Sequence, residues 1–264
     1  QGYLINYLAE TYYYTHDVVS KCWYAESCSY SLHTLVSSGK RIMILHAGIT
    51  EGRVNRCLYI SSKDIRDSMA DSHNEMNSTI FEKWFQDTLL KNLPPRKCTI
   101  VLDNASYHSR LQVKIPTKKH EMIEFMKAHN IPVPNPVPIN AVLSQKIKEA
   151  NIAKRYVIDE MARACGHEVL RLPPYHCTLN PIELVWARLK HSVKKENVTP
   201  SSTISVCRVL RKCVDDISRD LWGKCVQHTI NIERIYMSQD VAIDNGQVII
   251  NVDSSESEND TDEE

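Results

Sequence analysis

Cys98-Thr-Ile-Val-Leu-Asp103-Asn-Ala-Ser-Tyr-His108 sets an unbroken apolar run directly before an aspartate. A run of that length and character reads as a strand buried on both faces. Its carboxylate then falls at the C-terminal end of the strand, where open α/β sheets keep their ligands. A second stretch, Leu172-Pro-Pro-Tyr-His-Cys-Thr-Leu-Asn-Pro-Ile-Glu183-Leu-Val-Trp186, reads as a helix start, with Asn180 as N-cap, Pro181 at the first helical position and Glu183 at the third. Each carboxylate has two readings. Asp103 is either a ligand or a turn residue accepting an Asx hydrogen bond, and Glu183 either a ligand or the acid of a capping box. His108 and His176 either orient ligands and phosphate or serve as hydrogen-bonded structural histidines.

Working outward, Tyr3–Leu8, Arg41–Ala47 and Arg56–Ser61 are strand-sized segments bounded by polar or glycine turns. Glu168–Leu172 is a fifth strand, closed by Pro173 and Pro174. Helical spacing is found over Thr79–Leu90, Glu121–His129, Leu143–Cys165, the stretch after Asn180, and Ser202–Trp222. Ile131–Pro138 carries a proline at every second position and reads as a loop. Strands come first and then alternate with helices, which predicts an α/β or α+β class with a mixed sheet of these five strands flanked by helices. No internal repeat is present.

Of the 264 residues, 42% are hydrophobic and 24% charged, enough to bury one sizeable core. Lys+Arg and Asp+Glu both number 32, but seven of the acids lie in Asp253–Glu264. The rest of the chain holds 32 basic against 25 acidic residues, a balance of +7. A basic body with an acidic tail points toward nucleic acid as a partner, through counterion release on a phosphate backbone. The tail has the composition of a disordered segment, and shielding of the basic body by it is expected. Nine cysteines without a CxxC pair rule out a disulfide framework and a zinc ribbon. Cys207, Cys213, Cys225 and His228 could be imagined as a zinc set, but the cysteines are better read as ordinary buried thiols. No apolar leader and no run of 18 apolar residues is present, so neither secretion nor membrane spanning is expected.

The stretches Ile100–His108 and Leu172–Trp186 closely resemble the second and third acidic motifs of the Tc1/mariner-like transposases, in the branch with a DDE endonuclease domain. His73-Asn-Glu-Met-Asn77 before the Trp84 helix, His46-Ala-Gly48 and Val19-Ser-Lys-Cys-Trp23 also look like that branch. The resemblance runs from Tyr3 to Thr199, and the long Asn-Pro-Ile-Glu motif is its most specific part. It implies an RNase H-like catalytic domain over residues 1–200, leaving a C-terminal helical extension over 201–252 and the acidic tail over 253–264. The family's helix-turn-helix part is expected to lie before Gln1.

The resemblance further implies three carboxylates holding two divalent cations, Mg²⁺ or Mn²⁺, for strand cleavage and transfer in DNA transposition and integration. Asp103 matches the second acid and Glu183 the third, both as metal ligands. The first acid is missing. Where the family's first strand ends in Asp-Glu-Thr, this sequence reads Ala9-Glu10-Thr11. Glu10 points to the opposite face of the strand, because side chains alternate with period two. Asn6 shares that wrong face, and Asp17 lies beyond the strand. Metal affinity should therefore be weakened, and cleavage very weak or absent. Thr178 also departs from the acidic or amide residue common before the Leu-Asn-Pro-Ile-Glu segment. Two histories fit Ala9, a deliberate inactivation and a decayed or repurposed copy. The rival function is a non-catalytic nucleic-acid-binding or protein-interaction module derived from a transposase.

Asn104, His108, His176 and Asn180 are expected to support the site. Arg188, Lys190, Lys194 and Lys195 follow Glu183 along one helix and are expected to track a DNA backbone. The implied partners are transposon ends or non-specific duplex, with a homo-oligomer in the DNA complex, and the implied location is nuclear.

Overall fold

The computed structural model describes residues 4–18, 37–63, 65, 76–197 and 202–244. The Val19–Trp23 stretch, His73 to Glu75 and the acidic tail lie outside the described residues. One mixed sheet is formed by β1 (Leu4–Tyr14), β2 (Arg41–Ile49), β3 (Gly52–Arg53), β4 (Tyr59–Ser61), β5 (Cys98–Leu102) and β6 (Glu168–Arg171). Its order is β3-β2-β1-β5-β6, with β4 also on β2; β1 and β2 are antiparallel, while β5 is parallel to both β1 and β6. The expected α/β sheet is therefore present with six strands rather than five. The additional one, β3, has two residues and no periodic pattern to read. Gly52, at φ +131°, turns the chain into it. β1 also runs past the expected Leu8, because Glu10 to Tyr14 continue the ladder with β2 up to Tyr14 opposite Arg41.

The helices are α1 (Ser78–Trp84), α2 (Leu90–Asn92), α3 (Lys119–Ala128), α4 (Asn140–Glu149), α5 (Val157–Ala164), α6 (Ile182–Glu196), α7 (Thr203–Asp215) and α8 (Arg219–Asp244). A π-helical turn, Phe85–Leu89, joins α1 to α2. Asn77 caps α1, its Oδ1 accepting the Ile80 N–H at 2.9 Å. The helical stretch expected over Leu143–Cys165 is two helices, interrupted where Asn151 takes φ +45°. The stretch expected over Ser202–Trp222 likewise divides before Ser218, whose Oγ accepts the Leu221 N–H at 3.2 Å.

Each face of the sheet has its own core. On one, Leu8, Leu45, Ile100 and Leu102 lie beneath Phe81, Trp84 and Phe85. On the other, Ala9, Tyr13, Ile42 and Ile44 meet Ile182, Val185, Trp186 and Leu189 of α6, together with Leu210 of α7 and Trp222 of α8. Residues beyond 200 thus share the core of the sheet. Cys207, Cys213 and Cys225 are buried within this second core, and among the described residues no group of three metal-ligating side chains converges. No helix among the described residues is long and apolar enough to cross a membrane.

Gly48, next to the last residue of β2, is required by packing. A Cβ built there would lie 2.1 Å from the Trp222 ring. Gly48→Ala is expected to destabilise the protein by about 1–3 kcal/mol through overpacking, read as a lower urea midpoint, and Trp222→Leu in the same chain should recover part of that loss.

Candidate active site at the carboxylate end of the sheet

Asp103 follows directly on β5 and Glu183 lies in the first turn of α6. Parallel pairing runs from Leu4 opposite Cys98 to Tyr7 opposite Val101. Continued by two residues, that register brings Ala9 level with Asp103. The Ala9 methyl is 7% exposed and packs in the core that contains Ile182, Val185 and Trp186, beneath the helix that carries Glu183. The place beside the two acids is therefore filled by hydrocarbon.

Glu10 belongs to the other face, between Leu8 and Tyr12, which both pack into the Phe81 core. Its side chain is only 5% exposed. His108 Nε2 donates to Glu10 Oε1 at 2.9 Å, and Nδ1 of the same ring donates to Asp103 Oδ1 at 2.7 Å. The ring is buried, 4.2 Å centroid to centroid from Phe81 and 4.5 Å from Tyr107. Both nitrogens donate, which makes it an imidazolium between two carboxylates. Burial opposes that charge, but the bonds to Asp103 and Glu10 prevail and raise the His108 pKa to about 9.

Asp103 also accepts the Ala105 N–H at 3.0 Å, so the Asx turn is formed as well. Burial would raise its pKa, yet the His108 and Ala105 hydrogen bonds hold it below the ordinary aspartate value. Glu183 is shifted upward, first by burial and then by the negative charges of Asp103 and Glu10, with Lys190 opposing. Glu183 thus feels the charges of the other two carboxylates at the same end of the sheet.

Asn180 departs from its expected role. It does not cap α6, whose N-cap position is Pro181 with no side-chain bond, and the Glu183 capping box is absent. The buried Asn180 side chain instead donates from Nδ2 to Leu8 O at 3.0 Å, tying the loop before α6 to β1 one residue ahead of Ala9. Asn104 Oδ1 accepts from Ser109 Oγ at 2.9 Å and closes the loop after Asp103. His176 is exposed and stands edge-on to Tyr236 at 5.5 Å, away from the carboxylates' hydrogen bonds. Along α6, Arg188 and Lys195 are exposed, Lys190 lies near Glu183, and Lys194 is engaged with Asp17 at 2.8 Å. Asp17 is therefore an ion-pair partner of α6. The Glu10–His108–Asp103 chain escaped the sequence reading. Its only sequence trace is a histidine five residues after the aspartate, because Glu10 is 98 residues from His108.

Among solved structures, the Mos1 strand transfer complex aligns with a TM-score of 0.52 and 14% identity, covering 89% of this chain and 54% of that one. A pre-cleavage Mos1 transpososome aligns at 0.50 and 12%, covering 89% and 55%. A Mos1 mariner paired-end complex with Mn aligns at 0.48 and 11%, covering 93% and 56%. This chain spans about half the length of those it matches. A search of curated proteins finds no match. The family model described as "DDE superfamily endonuclease" matches residues 29–205. That match covers about two thirds of the sequence, and the chain belongs to the DDE superfamily endonucleases, with the RNase H-like fold of the Mos1 mariner complexes.

Proposed function

We propose that this chain is a Tc1/mariner-like transposase domain that holds duplex DNA and, as it stands, does not cut it. The observation that carries this reading is the Ala9 methyl packed level with Asp103, with Glu10 turned to the far face and bonded to His108. In-line displacement at a phosphodiester between two cations requires carboxylates shared between them. Two acids and a methyl do not fit a pair of Mg²⁺ or Mn²⁺ ions, which prefer sets of oxygen ligands. Swinging Glu10 across would break a buried ion pair and leave His108 charged and half-satisfied, at a cost of about 3–5 kcal/mol.

The retained capacity is binding. Arg188 and Lys195 are exposed on α6, the helix that carries Glu183 in its first turn, and Lys190 lies near Glu183. Transposon ends or non-specific duplex are the partners this chemistry suits, and the Mos1 relatives that share the fold are transpososome and strand-transfer complexes. Action within a homo-oligomeric DNA complex in the nucleus follows from that role. The second reading, a non-catalytic descendant used for its DNA-binding or protein-binding surface, is favoured by the same Glu10–His108 bond, which commits Glu10 to an internal cation on the far face.

Two outcomes are expected. In supercoiled-plasmid nicking with Mg²⁺ or Mn²⁺, the chain as given should be silent and Ala9→Asp should gain cleavage that Asp103→Asn removes; nicking by the unaltered chain would refute the strand-face argument. The second concerns stability. Because the His108 pKa is raised in the folded state to about 9 from an ordinary 6.5, its contribution is present in full below about pH 6.5 and is lost as pH rises through about 9. Urea midpoints between pH 6 and pH 10 should decline more steeply for the parent chain than for His108→Gln; parallel curves would remove the charged-histidine assignment.

A further inference from the structure

Between β5 and α5 the chain leaves the sheet and builds a separate helical module. Leu111 bridges Tyr156, Gln112 N–H donates to Arg155 O at 2.8 Å, and Val157 N–H donates to Arg110 O at 3.0 Å, so both ends of the insertion emerge at one point. Its small core is Met122 and Met126 of α3 against Leu143 and Ile147 of α4. The proline-rich segment brings the chain back to the start of α3, where Asn140 Nδ2 donates to Thr117 O at 3.5 Å and Lys119 Nζ to Val137 O at 3.4 Å. The two helices therefore run side by side in the same direction.

This module adds nothing to either face of the sheet, yet its charge is strongly one-sided. From Leu111 to Arg155 there are eight Lys or Arg and three Glu. Lys118 pairs with Glu121 at 3.5 Å. Lys114, Lys127, Lys146, Lys148, Lys154 and Arg155 have no ion-pair partner among the described residues. Lys148, Lys154 and Arg155 line a single groove of about 440 Å³ that contains no acidic residue. The base of the module is fixed to the site, since Arg171 donates from Nη2 to His108 O at 3.0 Å and lies 4.1 Å over the Tyr156 ring.

We propose that this module is a second DNA-backbone surface, with the cluster Lys148, Lys154 and Arg155 engaging phosphates of a duplex whose nearer part lies at Asp103. The proposal rests on the DNA reading above and deepens it by placing contacts on the side of the site away from α6. Unpaired, solvated cations with no acid among them gain from counterion release on each phosphate they neutralise. A duplex turn of roughly 34 Å is long enough to extend from the site onto a module rooted two residues from His108. The contacts carry no base specificity, because lysines on phosphate fix position rather than sequence.

The test is binding of a fluorescein-labelled 30-base-pair duplex to the whole chain by anisotropy across a salt series. Three proteins are compared: the parent, Lys148→Gln/Lys154→Gln/Arg155→Gln, and Arg188→Gln/Lys195→Gln, each checked for an unchanged circular dichroism spectrum and melting midpoint. The module variant is expected to bind about tenfold or more weakly in 0.1 M salt, with a log–log salt slope shallower by about 2 to 3, near 0.9 per lost phosphate. Parent-like affinity and slope in the module variant, with loss in the α6 variant, would overturn the module and leave the DNA reading standing. A parent that binds no duplex would overturn both. An unchanged DNA slope together with charge-dependent capture of an acidic peptide, such as residues 245–264 of this chain, would reassign the groove to protein.

Discussion

Side chains on a strand alternate between faces, and everything about this site follows from where that alternation places residues 9 and 10. Asn180 fixes the phase: its side chain holds the Leu8 carbonyl, so β1 cannot slip past the loop that introduces α6. In that register residue 9 faces the Glu183 helix and residue 10 faces the Phe81 core. A one-residue slip would exchange them, but it would also drive Leu8 and Tyr13 out of their respective cores. The packing that stabilises the fold is thus the same constraint that keeps the Glu10 carboxylate out of the cleft.

The site that results is electrostatically closed on itself. The upward shift of Glu183 reflects its burial first and then the charges of Asp103 and Glu10, with Lys190 opposing. The other two carboxylates are relieved by His108, which carries positive charge in a place from which solvent is excluded. A folded chain with one site acid absent can therefore remain stable, because its counter-charge is covalently part of it. Basic groups that are not consumed internally are found away from His108, among them those on α6 and on the α3–α4 module.

Much of this was legible from local pattern. Five of the six strands and the two acids after β5 and at α6 leave periodic or motif signals, because burial on both faces forces an unbroken apolar run and the Asn-Pro-Ile-Glu segment has a fixed shape. The alternation rule alone also places Glu10 on the far face. What could not be read were long-range partnerships. Asn180 has the chemistry of an N-cap, and only the fold shows that it is spent on Leu8, 172 residues away. Lys194 looked like one more free cation on α6 until the return of the chain set Asp17 against it. The two-residue β3 and the break at Asn151 are set by a turn and a positive φ, features too short for periodicity to reveal.

The claim that the rest depends on is that the cleft lacks a third carboxylate and that Glu10 does not supply one. Direct Mn²⁺ binding, followed by the loss of the free-ion electron paramagnetic resonance signal, tests it without any need for catalysis. The account predicts negligible uptake by the chain as given, and uptake by Ala9→Asp that Asp103→Asn and Glu183→Gln each abolish while Glu10→Gln leaves it in place. Stoichiometric Mn²⁺ binding by the unaltered chain, abolished by Glu10→Gln, would contradict it.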